Sequence, residues 1–201
     1  MKTSPTLLCL PDISGFTQFM REANFKLTSQ VIPALLNEII YANELELKVS
    51  EIEGDAVFFY KNGDLPSFEA LMHQCKTFYT EFYERMDELK EKYDSNADSK
   101  IIPEILGLKI VLHYGEEIGM VPIGTHIKLM GEDVITAHRL LKNNLEITEY
   151  ILITDALLSQ YSKKDIDINC DWCELQKGEM EVEHLGSVKY HYIDLKPLNA
   201  N

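Results

Sequence analysis

"TLLCLPDISGFTQFM", Thr6 to Met20, is the stretch that decides the fold. "TLLCL" reads as a buried strand, and it runs into Asp12. A Gly-Phe-Thr turn follows at once. Phe16, Phe19 and Met20 then recur at helical spacing, which predicts a strand over 6–12 and a helix over 14–26. An acid at the end of a buried strand has two readings. It caps the following helix, or it is a metal ligand held at the strand mouth. Asp12 by itself favours the cap.

Working outward, a second helix is expected over 29–44, with Ser29 as N-cap and Val31, Leu35, Ile39 and Ile40 on one face. "ELELKVSEIEGDAVFFYKNGD" alternates, turns at Glu53-Gly54-Asp55 and resumes, so it predicts a β-hairpin. A long amphipathic helix is expected over 66–93, and "DSNADSK" is a polar break. "ILGLKIVLHYGEEIGMVPIG" predicts two strands with Gly115 near the turn. A helix begins after Gly131 and ends near Lys142, Asn143 and Asn144. "YILIT" is a short strand, "DALLSQY" a short helix, and 166–195 reads as two or three strands. Hairpins mixed with helices argue for an α+β fold, a mixed and mostly antiparallel sheet with packed helices. No internal repeat or linker breaks the chain, so one domain over 1–201 is expected.

The composition excludes several partners. The chain has 201 residues, 45% of them hydrophobic, and a formal net charge of −14. Such an acidic surface repels nucleic acid and anionic membranes. It also repels polyphosphates, so a nucleotide ligand would need a bound cation to invert the local field. No window approaches the ~20 apolar residues of a membrane span. "MKTSPTLLCLPDISGF" lacks a signal-peptide pattern. With four cysteines, the expectation is a cytoplasmic protein with reduced thiols. Cys9 and Cys75 read as small core residues. Cys170 and Cys173 have the spacing of half a zinc site or a redox pair. No second pair accompanies them, and their setting reads as a strand, which favours a structural role.

Asp55 changes the reading of Asp12. If the first strand lies beside the hairpin, both carboxylates emerge at one edge of the sheet. Two carboxylates suit Mg²⁺ or Mn²⁺, which prefer hard oxygen ligands. The turn "SGFT" opens a helix whose free N–H groups could cradle phosphate. In the bland alternative Asp12 caps the helix and Asp55 serves the turn.

These stretches together resemble the class III adenylate and guanylate cyclases. "LLCLPDISGFTQFM" is similar to their first signature, Asp-Ile-x-Gly-Phe-Thr after a strand. "VSEIEGDAVFFY" is similar to their Gly-Asp-Ala hairpin, "LKIVLHYGEEIGMVPIG" to their next strand pair, and "LMGEDVITAHRLLK" to their Asn-x-Ala-x-Arg helix. The match is strongest over 6–143, with strands over about 166–195 completing the sheet. The chain looks most like an uncharacterised bacterial branch of that superfamily, a domain of unknown function.

The resemblance implies a ferredoxin-like core and a head-to-tail homodimer, with one subunit giving the metal ligands and the other the recognition groups. It implies Asp12 and Asp55 as metal ligands for Mg²⁺ or Mn²⁺, joined by the backbone carbonyl of Ile13. It implies phosphate contacts from Gly15, Phe16 and Thr17, and a transition-state role for Arg139. Glu51 and Lys128 match the base-recognition positions, and a nucleoside triphosphate, GTP or ATP, is the implied ligand.

The pattern also breaks. Ile135 stands where the family has its transition-state asparagine, four residues before Arg139 on the same helix side. Losing one such donor typically costs ~10²–10³ in rate. Lys128 offers no acceptor to an amino group of a base. The family's phosphate lysine has no clean match, and His184 or Lys189 serves only with a shifted alignment. His138 is expected at the core's edge, His113 in a structural role and His73 on the surface. Three functions follow. The first is a cyclase-like signalling domain that binds divalent metal and a nucleoside triphosphate, with weak or lost turnover. The second is an active cyclase, whose metals would activate the 3′-hydroxyl for attack on the α-phosphate. The third is a ligand-free dimerisation or regulatory scaffold.

Overall fold

The computed structural model describes residues 3–93, 105–169 and 174–199. The chain opens with β1 (Thr3–Ser14), α1 (Phe16–Glu22) and α2 (Phe25–Tyr41). The hairpin β2 (Lys48–Glu53) and β3 (Ala56–Asn62) follows, then α3 (Phe68–Tyr93). Next come β4 (Gly107–Ile123), β5 (His126–Met130), α4 (Glu132–Leu140) and β6 (Tyr150–Thr154). The chain continues through α5 (Asp155–Leu158), α6 (Lys163–Asn169), β7 (Gln176–Val182) and β8 (Gly186–Asp194).

The strands form one sheet in the order β2-β3-β1-β4-β6-β8-β7, with β5 paired to β4. All pairings are antiparallel except β4 with β6. Alternation along β1 sends its side chains to two different cores. Leu7, Cys9 and Ile13 join the larger one, with Val31, Leu35, Phe78 and Phe82 of α2 and α3. Leu8 and Leu10 join the smaller one, with Val134, Ala137 and Leu140 of α4. Asp12 continues the Leu8–Leu10 side and therefore lies under α4. Cys9 and Cys75 are fully buried in the larger core, as expected, and burial pushes both thiols up.

Four expectations are corrected. Helix α2 starts earlier than Ser29, because the side chain of Asn24 accepts a hydrogen bond from Leu27 N at 2.9 Å. Ser29 lies within the helix and donates to Lys26 O. β4 is one continuous strand of 17 residues, and the turn falls after Ile123, not at Gly115. Gly115 is needed for a close approach instead: a Cβ there would lie 2.5 Å from Cβ of Asp133 in α4. Residues 163–169 form a helix where a strand was expected to begin, since Ser162 Oγ accepts from Asp165 N at 3.1 Å and donates to the Asp165 carboxylate at 2.6 Å, which caps the first turn. Lastly, Asp12 does not cap α1; the N-cap is Gly15, with no side-chain cap. Cys170, Cys173 and the whole polar break, 94–100, fall outside the described residues.

Candidate functional site

The register brings the two aspartates together. Asp12 pairs with Ala56 across β1 and β3, and Ile13 N donates to the carbonyl of Asp55 at 3.0 Å. That bond ties the strand mouth to the hairpin turn. Asp12 is only 6% exposed, and its Oδ1 has no hydrogen-bond partner among the described residues. Its Oδ2 lies 2.9 Å from Nζ of Lys109, its register partner in β4. Burial alone would push the Lys109 ammonium down, but the charge of Asp12 and its hydrogen bond outweigh this, and the pKa rises.

Asp55 is half-buried. Its carboxyl is pushed up to about 6, first by burial and then by the charge of Asp12; Lys109 acts the other way. Two close carboxylates with one ammonium between them leave a deficit of positive charge.

Above them opens a cleft of about 390 Å³, lined by Asp12, Glu53, Asp55, Lys109, Arg139 and Lys142, with His138 and Phe58 on its wall. Lys109 also donates to the carbonyl of Leu141 at 3.0 Å, so one ammonium fastens the end of α4 to Asp12. Arg139 is exposed and lines the same cleft within the same chain. Ile135, one turn earlier, is 52% exposed and does not line it.

Gly15 has φ +78°, and a Cβ there would sit 1.9 Å from the carbonyl oxygen of Ile105. The glycine is thus required by the chain's own packing, whatever else the turn does. Phe16 is half-buried and Thr17 exposed at the start of α1. Glu51 and Lys128 are brought together. Nζ of Lys128 lies 2.9 and 2.6 Å from the two carboxylate oxygens of Glu51, and the hydrogen bond raises the lysine pKa.

Sequence reasoning missed Lys109, Lys142 and Glu53. Lys109 had a signal: a lone base in the apolar run "LKIVL" needs a buried acid, and Asp12 is the lone acid of β1. Glu53 meets Nδ1 of His138 at 3.4 Å, while the ring stacks on Phe58 at 4.6 Å between centroids. Ligand atoms of Glu51, Glu53 and His138 also lie within 4.8 Å of one another. His113 is buried, bonded to Thr154 at 2.9 Å and Asp133 at 3.0 Å, in the structural role expected. His73 is on the surface. Neither alternative for the phosphate lysine reaches the cleft: His184 sits in the β7–β8 turn, and Lys189 lines a separate hollow with Asp155 and His191.

The model of a family described as "Protein of unknown function (DUF2652)" matches residues 32–150, more than half of the chain. The chain belongs to this family. The "Uncharacterized protein Rv2561/Rv2562" of Mycobacterium tuberculosis (strain ATCC 25618 / H37Rv) is 27% identical over 161 residues, 80% of this chain and 72% of that protein.

Solved structures extend the likeness to three dimensions. The guanylate cyclase domain of RhGC from Catenaria anguillulae, in complex with GTP, is 18% identical with a TM-score of 0.63; 95% of this chain and 96% of that one are covered. A Trypanosoma brucei adenylate cyclase in its monomeric state is 15% identical with a TM-score of 0.66, covering 95% and 88%. The guanylyl cyclase Cya2 is 13% identical with a TM-score of 0.64, covering 96% and 92%. The fold is that of the class III adenylyl and guanylyl cyclase catalytic domains. Among the described residues, no helix is long and apolar enough to cross a membrane.

Proposed function

We propose that this protein is a cytoplasmic cyclase-homology domain, spanning 1–201, that binds Mg²⁺ or Mn²⁺ and through it a nucleoside triphosphate, GTP or ATP, with weak or lost cyclase turnover. One observation carries the reading: the buried, unpartnered Oδ1 of Asp12 beside the half-buried carboxyl of Asp55, at the floor of an open cleft. Hard oxygen donors in that arrangement fit a divalent cation.

Asp12 and Asp55 would hold the ion, with the backbone of Ile13 adjoining. When bound, it would neutralise phosphate charge as a Lewis acid. Arg139 would offset charge on the phosphates, and the uncapped turn at Gly15, Phe16 and Thr17 would supply N–H donors. Two features support weak turnover. Ile135 offers no hydrogen bond where the related helices carry asparagine. Glu51 already spends its carboxylate on Lys128, which leaves less of it for a base. A head-to-tail homodimer is part of the reading, supported by exposed Val49, Ile52, Ile127, Met130 and Ile135.

Calorimetry with Mn²⁺, GTP and ATP tests this. Wild type is expected to bind metal and nucleotide, and the Asp12→Ala, Asp55→Ala double variant neither. Equal binding by the two sinks the proposal. A product assay with Mn²⁺ at high protein concentration separates weak turnover from an active cyclase.

The Lys109–Asp12 ion pair favours a second reading, a ligand-free scaffold in which the ammonium has replaced the metal. That reading predicts no heat with Mn²⁺ for wild type and an unchanged oligomeric state in the double variant.

A further inference from the structure

The cleft is unusual in the balance of its charges. The chain carries 33 acidic and 19 basic residues. Of the ten residues lining the cleft, three are acidic and three are Lys or Arg. A polyanion repelled by the surface at large therefore meets near-neutral walls here. Lys109 is committed to Asp12 and Leu141. The side chains of Arg139 and Lys142 make no ion pair or hydrogen bond among the described residues, although Asp12, Glu53 and Asp55 line the same walls.

The position of Lys142 is held firmly for an exposed residue. Its N–H donates to Arg139 O at 2.9 Å, which extends the helical turn past the end of α4. The preceding carbonyl, of Leu141, is anchored by Lys109. Three residues apart on a continued turn, Arg139 and Lys142 share a side. A cation at a helix C-terminus has a bland use, to complement the macrodipole. That use does not require it to line a cleft above two aspartates.

We infer that Lys142 is a phosphate-contacting residue of this cleft, acting with Arg139 on a triphosphate held at the Asp12–Asp55 edge; the inference rests on the function proposed above. It gives the phosphate side of the site a lysine from the same chain, where the C-terminal strands bring none to the cleft.

The test is calorimetry on the full chain with two probes, Mn²⁺ alone and inorganic tripolyphosphate at saturating Mn²⁺. Losing a charge-assisted phosphate contact weakens binding by about tenfold or more. Lys142→Ala is expected to bind tripolyphosphate about tenfold more weakly, Lys142→Glu more weakly still, and Lys142→Arg close to wild type. Mn²⁺ alone should bind these variants as well as wild type or more tightly, since removing a cation favours another nearby. A merely structural role would weaken both probes together and would not be rescued by arginine, and either result overturns the inference. So does unchanged tripolyphosphate binding by Lys142→Ala and Lys142→Glu. Failure of wild type to bind Mn²⁺ at all defeats the underlying reading of the aspartates. Binding of Mn²⁺ without tripolyphosphate defeats the phosphate role alone.

Discussion

Lys109 and Asp12 are register partners on adjacent strands, and their side chains meet at 2.9 Å while the same ammonium holds the end of α4 at Leu141. A single cation thus joins the acid of β1 to the helix that carries Arg139. It neutralises one carboxylate oxygen and leaves the other, Oδ1, without a partner.

Lys109→Met separates the two roles of that ammonium. Removing one member of a largely buried pair costs on the order of 3 kcal/mol. The metal-free variant is therefore expected to unfold at markedly lower urea. Two uncompensated carboxylates should in turn bind Mn²⁺ more tightly, so added Mn²⁺ should restore more stability to the variant than to wild type. Urea titrations with and without Mn²⁺ check this. A variant that Mn²⁺ does not rescue would speak for the scaffold reading.

Asp55 predicts a pH dependence. Its carboxyl is raised from 3.8 to about 6 by burial and by Asp12. The folded state then binds more protons than the unfolded state between those values, so this group's contribution to stability falls as pH rises from about 4 to 6. Asp55→Asn should remove that loss. Denaturant midpoints of the metal-free protein at pH 4.5 and 7 should differ less in the variant than in wild type.

Glu149 carries a similar burden away from the cleft. It is 8% exposed, and its Oε1 has no hydrogen-bond partner among the described residues. Burial raises its carboxyl pKa; Lys196 opposes this and Asp194 adds to it. A carboxyl raised on folding withdraws stability as pH climbs through its folded value. Glu149→Gln is therefore expected to raise the melting temperature at pH 7.5 and to have little effect at pH 4, as thermal unfolding by circular dichroism would register.

Ile135→Asn asks whether the missing donor limits turnover. The side chain is 52% exposed, so the substitution should change stability by no more than ~0.5 kcal/mol. If the site binds metal and triphosphate, cyclic nucleotide formation with Mn²⁺ should rise, by up to ~10²–10³. No rise in a variant that still binds would move the block to the Glu51–Lys128 pair.

The aspartate pair was legible in the sequence because strand, turn and hairpin each have strong local signatures, and register then brings Asp12 to Ala56. Lys109 was legible in principle, as a base inside an apolar strand. Gly115 was misread because a glycine that admits a neighbouring helix looks the same in sequence as one that turns the chain. Residues 166–169 were misread because alternating "DIDI" imitates a strand, while the Ser162–Asp165 cap that decides the matter spans only four residues. Lys142 carried no signal, since its position depends on a bond from Lys109 to a backbone carbonyl.

The two outermost strands of the sheet, β2 and β7, carry Lys48, Glu51 and Glu53 and Lys177, Glu179 and Glu181. Charges along an edge oppose the addition of another chain's strand. Growth of the sheet from copy to copy is thereby discouraged at these two edges. At these two edges self-association is expected to proceed through side chains on the faces and not through the backbone ladder.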